Sequence, residues 1–254
     1  MFYILLPAYN EERDIRTLLE RIRFALTGLQ VMYQVLVVND GSRDRTMEIL
    51  REMQADLPLE VLDHGVNKGL GQAMLTGLQR ALVLMKDEDI LITMDADNTH
   101  DPCLIGAMSE RIAQGADVVI ASRYEQGGQE VGLSRLRSFL SRGASTLLKV
   151  FFPIAGAKDF TCGYRAYRGA ALKRAFAVYG DHLVEERGFT CMAEILIKMG
   201  AVAARVSEVP LVLRYDLKSS PSKMKVMRTI LRYFVLIAKN LGGRRSMLRR
   251  ARVG

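Results

Sequence analysis

The chain has 254 residues, 49% of them hydrophobic, with 36 Lys and Arg against 28 Asp and Glu for a formal net charge of +8. This composition excludes disordered and low-complexity classes, and three widely spaced cysteines exclude a disulfide framework and offer no zinc pattern. The positive charge is confined to one end: from Lys218 onward there are 11 basic residues and no acid, whereas the first 217 residues hold 25 basic and 28 acidic groups, net −3. A mildly acidic body with a basic tail points to an anionic partner surface, either membrane or nucleic acid.

In chain order, residues 2–7, 33–40, 59–63, 89–97 and 116–123 read as strands. They are short, rich in Val, Ile and Leu, and end in polar or turn residues. The segments 11–28, 43–55, 70–86 and 101–114 between them carry helical patterns. This alternation predicts an α/β fold with a mostly parallel sheet, covered by helices on both faces. Farther on, 132–150 and 188–199 read as helices and Phe160–Tyr167 as a loop leading to a short strand. Residues 202–214 read as one or two strands broken at Pro210. The N-terminal apolar run lacks a basic leader and reads as a strand, not a signal peptide. No apolar run approaches the roughly 18–20 residues of a membrane span, so a cytoplasmic protein without a transmembrane helix is expected.

In open α/β sheets, ligands bind outside the carboxyl ends of the strands. The polar residues at those ends are Pro7 to Glu11, Asn39 to Ser42, Asp95 to Asp97 and Ser122 to Tyr124. Asp95 and Asp97, two residues apart after a buried strand, suit a hard divalent cation such as Mg²⁺ or Mn²⁺. Asp40 suits a nucleobase or ribose, or caps the next helix unless Ser42 does so. The Asn67-Lys68-Gly69-Leu70-Gly71 turn suits either phosphate approach or a plain tight turn. Arg123 ends a strand on the same edge, where a cation would offset phosphate charge. His64, His100 and His182 are too scattered to form a ligand cluster.

The segments PAYNEE (7–12), VVNDGSRDRT (38–46), NKGLGQA (67–73), DADNTH (95–100), SRY (122–124) and DFTCGYRAYR (159–168) occur in the order seen in family 2 glycosyltransferases of GT-A fold. The chain resembles the dolichol-phosphate mannose synthase group of polyprenyl-phosphate glycosyltransferases, from residue 2 to about 230. The resemblance implies inverting transfer of a hexose from a nucleotide-diphosphate sugar, GDP-mannose or a UDP-sugar, to a polyprenyl phosphate. It implies that Pro7, Tyr9, Glu11, Asp40 and Lys68 hold the nucleotide, and that Asp95 and Asp97 hold Mg²⁺ or Mn²⁺. Arg123, Arg137, Ser141, Ser222 and Lys223 would serve the acceptor phosphate. Glu194 matches a recurrent acidic position. The sequence departs from the family pattern in three places. Asn39 stands where an Asp is common. Thr99 takes the place of a metal-side Gln, so that either Thr99, a weaker ligand, or water would complete the metal shell. The loop before Ser222 reads YDLKSSP, so that Lys218 or Arg214 would replace the usual Arg. A hydroxyl acceptor would need a carboxylate base, for which Asp159, Glu185 and Glu194 are the candidates.

The chain thus divides into a catalytic GT-A domain, 1–217, and a basic segment, 218–254. Residues 223–241 fit a helix with Lys225, Arg228, Arg232 and Lys239 on one arc and Leu231, Phe234, Val235 and Leu241 roughly opposite. Such a helix either packs on its own protein or lies in a membrane interface, with 223–254 against an anionic leaflet of the inner face. Aromatic interleaving is too thin for nucleic acid. The competing expectations are a soluble family 2 enzyme with a hydroxyl acceptor and a non-catalytic nucleotide-binding protein recruited to membranes.

Overall fold

The computed structural model describes residues 1–219 and 226–250. Nine strands are present among them: β1 (Phe2–Ala8), β2 (Tyr33–Asn39), β3 (Leu59–Asp63), β4 (Ile90–Thr93), β5 (Val118–Ser122), β6 (Gln129–Val131), β7 (Arg165–Arg168), β8 (Val206–Pro210) and β9 (Val212–Arg214). The helices are α1 (Ile15–Gly28), α2 (Thr46–Met53), α3 (Leu70–Leu84), α4 (Leu104–Ala113), α5 (Arg135–Phe151), α6 (Gly169–Tyr179), α7 (Cys191–Ala201) and α8 (Val226–Arg250). Seven strands form the central sheet in the order β3-β2-β1-β4-β7-β5-β8, and β6 and β9 form a small parallel pair. The expected α/β class holds, and so does the break at Pro210.

The parallel pairings are β1 with β2 and β4, β2 with β3, and β5 with β8. Their side chains are buried on both faces: Ile4 to Leu6, Val35 to Val38 and Val118 to Ala121 are all 0% exposed. Burial of each such large aliphatic side chain contributes about 1.5–3 kcal/mol. β7 departs from this pattern and runs antiparallel to both of its neighbours. The connection from β5 runs through β6, α5 and then an irregular loop that brings the chain back to the carboxyl edge, so β7 starts where a parallel strand would end. Its Arg165 is fully buried, and the guanidinium donates to the carbonyls of Met192 (2.5 Å) and Phe160 (2.9 Å).

Two consequences of this topology place the site. The chain winds outward from β1 to β2 and β3, then crosses back to β4. The crevice at the carboxyl ends of β1 and β4 is therefore the topological switch point. Because β7 is reversed, its amino end and the preceding Phe160–Tyr164 loop reach that same edge.

α8 packs on the body through Tyr233, Leu236 and Ile237, which are buried, while Leu231, Phe234, Val235 and Leu241 stay exposed. The inward face is not the one the simple charge pattern suggests. Arg232 donates to both carboxylate oxygens of Glu186 (3.0 and 3.2 Å), and Lys239 approaches the same carboxylate at 3.9 Å. Glu186 is 1% exposed, and a buried carboxylate needs cationic partners. Two of the four residues of the basic arc thus face a buried carboxylate of the protein itself, and of the two expectations for this helix, packing on its own protein is the one seen.

Candidate active site

Two cavities meet at the switch point. The larger, about 810 Å³, is lined by Pro7, Tyr9, Glu11, Asp40, Lys68, Asp95 and Asp97 among others. The smaller, about 120 Å³, is lined by Asp95, Asp97, Thr99, Arg123, Arg137 and Ser141, with apolar Leu133, Leu140, Leu213, Ile230 and Tyr233. Asp95, Asp97, Phe189, Lys218 and Thr229 border both. Apart from Ser222 and Lys223, which lie outside the described residues, each residue expected to hold the nucleotide, the metal or the acceptor phosphate reaches one of two adjoining spaces, whereas Arg214 and the candidate bases Asp159 and Glu194 border neither.

Asp40 caps no helix. Its Oδ1 accepts from Lys68 N–H (2.8 Å) and faces His64 Nδ1 (2.8 Å), and its Oδ2 accepts from Gly69 N–H (2.9 Å). His64 Nε2 in turn meets Thr76 Oγ1 at 3.0 Å. Ser42 Oγ is taken by Asn10 N–H at 2.9 Å, and Asp44 Oδ1 accepts the Thr46 N–H at 3.0 Å. The Gly-rich turn is accordingly built around Asp40. A Cβ on Gly71 would fall 1.7 Å from the carbonyl oxygen of Glu186, so this glycine lets the Glu186–Arg187 backbone pass against α3. The amides at 68 and 69 hold Asp40, which leaves the Lys68 side chain as this turn's cation on the larger cavity. The Asn39 substitution also has a local reason. Its Nδ2 donates to Asp63 Oδ1 at 2.8 Å, where a carboxylate would face another carboxylate.

The Asp95–Asp97 loop is held from outside the cavity. Arg21 on α1 donates to Asn98 Oδ1 at 2.6 Å and to Asp101 at 3.2 Å, and Asn98 sits in the left-handed region at φ 61°. His100 is buried and stacks on Tyr164. Its Nδ1 accepts the Asp95 N–H at 3.2 Å, and its Nε2 lies 4.0 Å from the Asp95 carboxylate. Burial raises the Asp95 carboxyl, against the partial offset of His100. At Asp97 burial acts in the same direction, but Lys218, His100 and the Thr99 hydroxyl outweigh it and hold the group below the usual carboxylate range. Lys218 Nζ pairs with Asp97 Oδ2, and Thr99 Oγ1 donates to Oδ1 at 2.6 Å. Arg214 pairs with Asp216 and borders neither cavity, so of the two cations only Lys218 reaches the cavities.

Among the described residues no cluster of three or more His, Cys, Asp and Glu gathers for a metal. The oxygen donors at the junction are the Asp95 carboxylate, 37% exposed, the Asp97 carboxylate and the Thr99 hydroxyl, and the His100 ring borders the same cavity. That set fits Mg²⁺ or Mn²⁺, which bind through one or two carboxylates and complete their shell with phosphate oxygens and water.

Arg123 is 9% exposed, and all five of its N–H donors are engaged. Nε and Nη2 form a fork to Asp159 at 2.8 and 2.7 Å, Nη2 also reaches Thr161 at 2.6 Å, and Nη1 reaches Ser141 at 3.1 Å and Glu130 at 3.2 Å. Ser141 also accepts from Tyr124 OH at 3.1 Å. Arg123 therefore anchors the cavity wall and presents Ser141. Arg137 and Lys218 both lie over the Tyr215 ring, each 5.9 Å from its centre. None of the candidate bases stands free in the smaller cavity. Asp159 is fully buried under Arg123, and Glu194 accepts from the Glu185 and Glu186 amides, both 2.8 Å, and from Lys198 at 2.7 Å. Glu185 borders the larger cavity and pairs with Lys198.

The roles of His64, His100, Glu186 and Tyr215 were not legible in the sequence. The first two stand within three residues of the ends of expected strands, which was the available signal. Glu186 and Tyr215 are brought in by loops whose path only the fold reveals.

The model of the glycosyl transferase family 2 matches residues 3–176. The chain belongs to glycosyltransferase family 2. It is 34% identical over 208 residues to a dolichol-phosphate mannosyltransferase of Pyrococcus furiosus, an alignment covering 82% of this chain and 54% of that protein. It is 31% identical over 208 residues to an undecaprenyl-phosphate mannosyltransferase of Micrococcus luteus, covering 82% and 81%. The chain thus spans about half the length of the first of these relatives and most of the second. Among solved structures it is similar to a glucosyl-3-phosphoglycerate synthase of Mycobacterium tuberculosis solved with Mn²⁺, UDP and glucosyl-3-phosphoglycerate. The TM-score is 0.64 at 17% identity, covering 93% of this chain and 79% of that one. That likeness establishes the GT-A fold of this family 2 chain.

Proposed function

We propose that this family 2 protein transfers a hexose from a nucleotide-diphosphate sugar to a polyprenyl phosphate, with inversion, at the cytoplasmic face of a membrane. The observation that carries the reading is the chemistry of the smaller cavity. Arg137, Ser141 and Lys218 border it together with an apolar lining, and the carboxylates on it are Asp95 and Asp97. Such a space suits an anionic head joined to an apolar chain. A phosphate acceptor is already ionised and needs no general base, whereas a hydroxyl acceptor would need one. The relatives named for mannosyl transfer to dolichol phosphate and undecaprenyl phosphate support the same acceptor class, and their sugar makes GDP-mannose the first donor to test.

In this reading the nucleoside lies in the larger cavity against Pro7, Tyr9, Glu11 and Asp40, with Lys68 near the phosphates. Asp95 and Asp97, with Thr99 behind Asp97, would hold Mg²⁺ or Mn²⁺, which stabilises the departing diphosphate. Arg137 and Ser141 orient the acceptor phosphate. Arg123 fixes Ser141, and Ser222 and Lys223 would close over the phosphates. α5 and α8 flank the acceptor cavity and carry exposed Leu136, Phe139, Leu231, Phe234 and Val235. Among the described residues no helix is long and apolar enough to cross a membrane. These apolar side chains, with the basic 218–254 segment, suit peripheral seating on an anionic leaflet.

The reading is tested by offering the same polyprenyl chain as its phosphate and as its free alcohol. Transfer to the phosphate alone is expected. Transfer to the alcohol would favour a hydroxyl-acceptor enzyme.

A further inference from the structure

Lys218 stands in an unusual relation to the carboxylate pair. Its ammonium is paired with Asp97 Oδ2, while Asp97 Oδ1 accepts from the hydroxyl of Thr99 at 2.6 Å and its N–H at 3.3 Å. Both oxygens of Asp97 are therefore engaged within the chain itself. The lysine side chain is 10% exposed, lies over Tyr215, and borders both cavities. Lysine is a compact charge on a flexible four-carbon stem, able to move its head by several ångströms without moving the backbone.

We propose that Lys218 is a built-in counter-ion that holds the cation position on Asp97 and yields it, moving onto the donor diphosphate, when a divalent ion arrives with that diphosphate. This deepens the functional reading above and rests on its assignment of Asp95 and Asp97 to the metal. A divalent ion and an ammonium cannot both sit against one carboxylate oxygen without strong repulsion. Before loading, Asp95 and Asp97 carry two negative charges and Lys218 offsets one of them. After loading, the metal neutralises the carboxylates, and the freed ammonium is within the shared lining to offset one charge of the diphosphate. Charge balance is kept throughout, and Thr99 keeps Asp97 oriented during the exchange.

The consequence separates Lys218 from an ordinary phosphate-binding lysine. It opposes the bare metal and favours the metal–diphosphate complex. Mn²⁺ binding is measured from the loss of the free Mn²⁺ paramagnetic resonance signal, with the ion alone and then with UDP and with GDP, on the full chain. Lys218→Met is expected to bind bare Mn²⁺ at least fivefold more tightly than the unmodified protein and the Mn²⁺–nucleotide complex at least fivefold more weakly. Lys218→Arg retains the charge and is expected to keep bare Mn²⁺ weak, which also controls for a folding defect. Bare Mn²⁺ bound equally by the Met variant and the unmodified protein would overturn the proposal while leaving the metal site in place. Failure of every variant to bind Mn²⁺, with nucleotide or without, would overturn the metal reading of Asp95 and Asp97 and the exchange with it.

Discussion

Arg123 and Asp159 form a two-pronged buried pair, Nε to Oδ2 at 2.8 Å and Nη2 to Oδ1 at 2.7 Å, with Asp159 fully enclosed. Asp159 also accepts the N–H groups of Thr161 and Cys162, both at 3.1 Å. One carboxylate thus ties the strand end that carries Arg123 to the loop entering the reversed β7. Asp159→Asn removes the forked partner of the buried Arg123 charge and leaves it only Glu130, at 3.2 Å, and is predicted to lower stability by about 3 kcal/mol, read from denaturant titration. Replacing both residues by apolar ones is predicted to recover most of that stability and not the transfer activity, because Ser141 then lacks its anchor.

The same pair sets a pH dependence. Burial acts to raise the Asp159 carboxyl, but Arg123 and the backbone amides outweigh it and hold its folded pKa below the ordinary value. The unfolded chain then binds the proton more readily, so stability from this group is full above the ordinary Asp value of about 4 and is lost as pH falls below it. The stability gap between the unmodified protein and Asp159→Asn is predicted to be constant above about pH 5 and to narrow below about pH 4. A gap that widened on acidification would refute the sign.

Asp97→Ala removes a carboxylate that borders both cavities. Transfer is predicted to fall by about 10²–10³ or more, the scale seen when a main electrostatic contact to developing charge is lost, and excess Mn²⁺ is predicted not to restore it. Near-normal turnover would remove the metal assignment.

Arg137→Ala is predicted to raise KM for the polyprenyl phosphate about tenfold, the loss of one charge-assisted contact of about 1.5 kcal/mol, and to leave KM for the donor unchanged. Arg137 borders the smaller cavity and not the larger. An equal change in both constants would place it elsewhere in the mechanism.

Membrane seating is checked with vesicles. Replacing Phe139 and Phe234, 74% and 55% exposed, by Ser is predicted to weaken binding to anionic and neutral vesicles alike, since it removes apolar area. Deleting residues 242–254 removes five arginines and is predicted to weaken binding to anionic vesicles only, in a salt-dependent way. Nucleotide binding is predicted to survive both changes.

Much of this arrangement was legible in the sequence, for identifiable reasons. Strands buried on both faces are near-continuous runs of Val, Ile and Leu, so β1, β2 and β5 announce themselves, and the open-sheet rule then gathers Asp40, Asp95, Asp97 and Arg123 at one edge. The reversal of β7 was not legible, because strand direction depends on the path of a loop. The orientation of α8 was misleading for a similar reason. Its apolar residues occupy two faces, and on the inward side, with Tyr233, Leu236 and Ile237, Arg232 meets Glu186, a carboxylate more than forty residues away. His64 and His100 looked scattered because their partners, Asp40 and Asp95, are supplied by other loops or by a tight turn.

The central claim is that a hexose is joined to a lipid phosphate. The direct measurement incubates the protein with undecaprenyl phosphate, Mn²⁺ and each of a panel of radiolabelled nucleotide-sugars, GDP-mannose first, and follows the label between organic solvent and water. The account predicts metal-dependent label in the organic phase for at least one donor, lost with Asp97→Ala. Labelled product that remains in the aqueous phase for every donor turned over would contradict it.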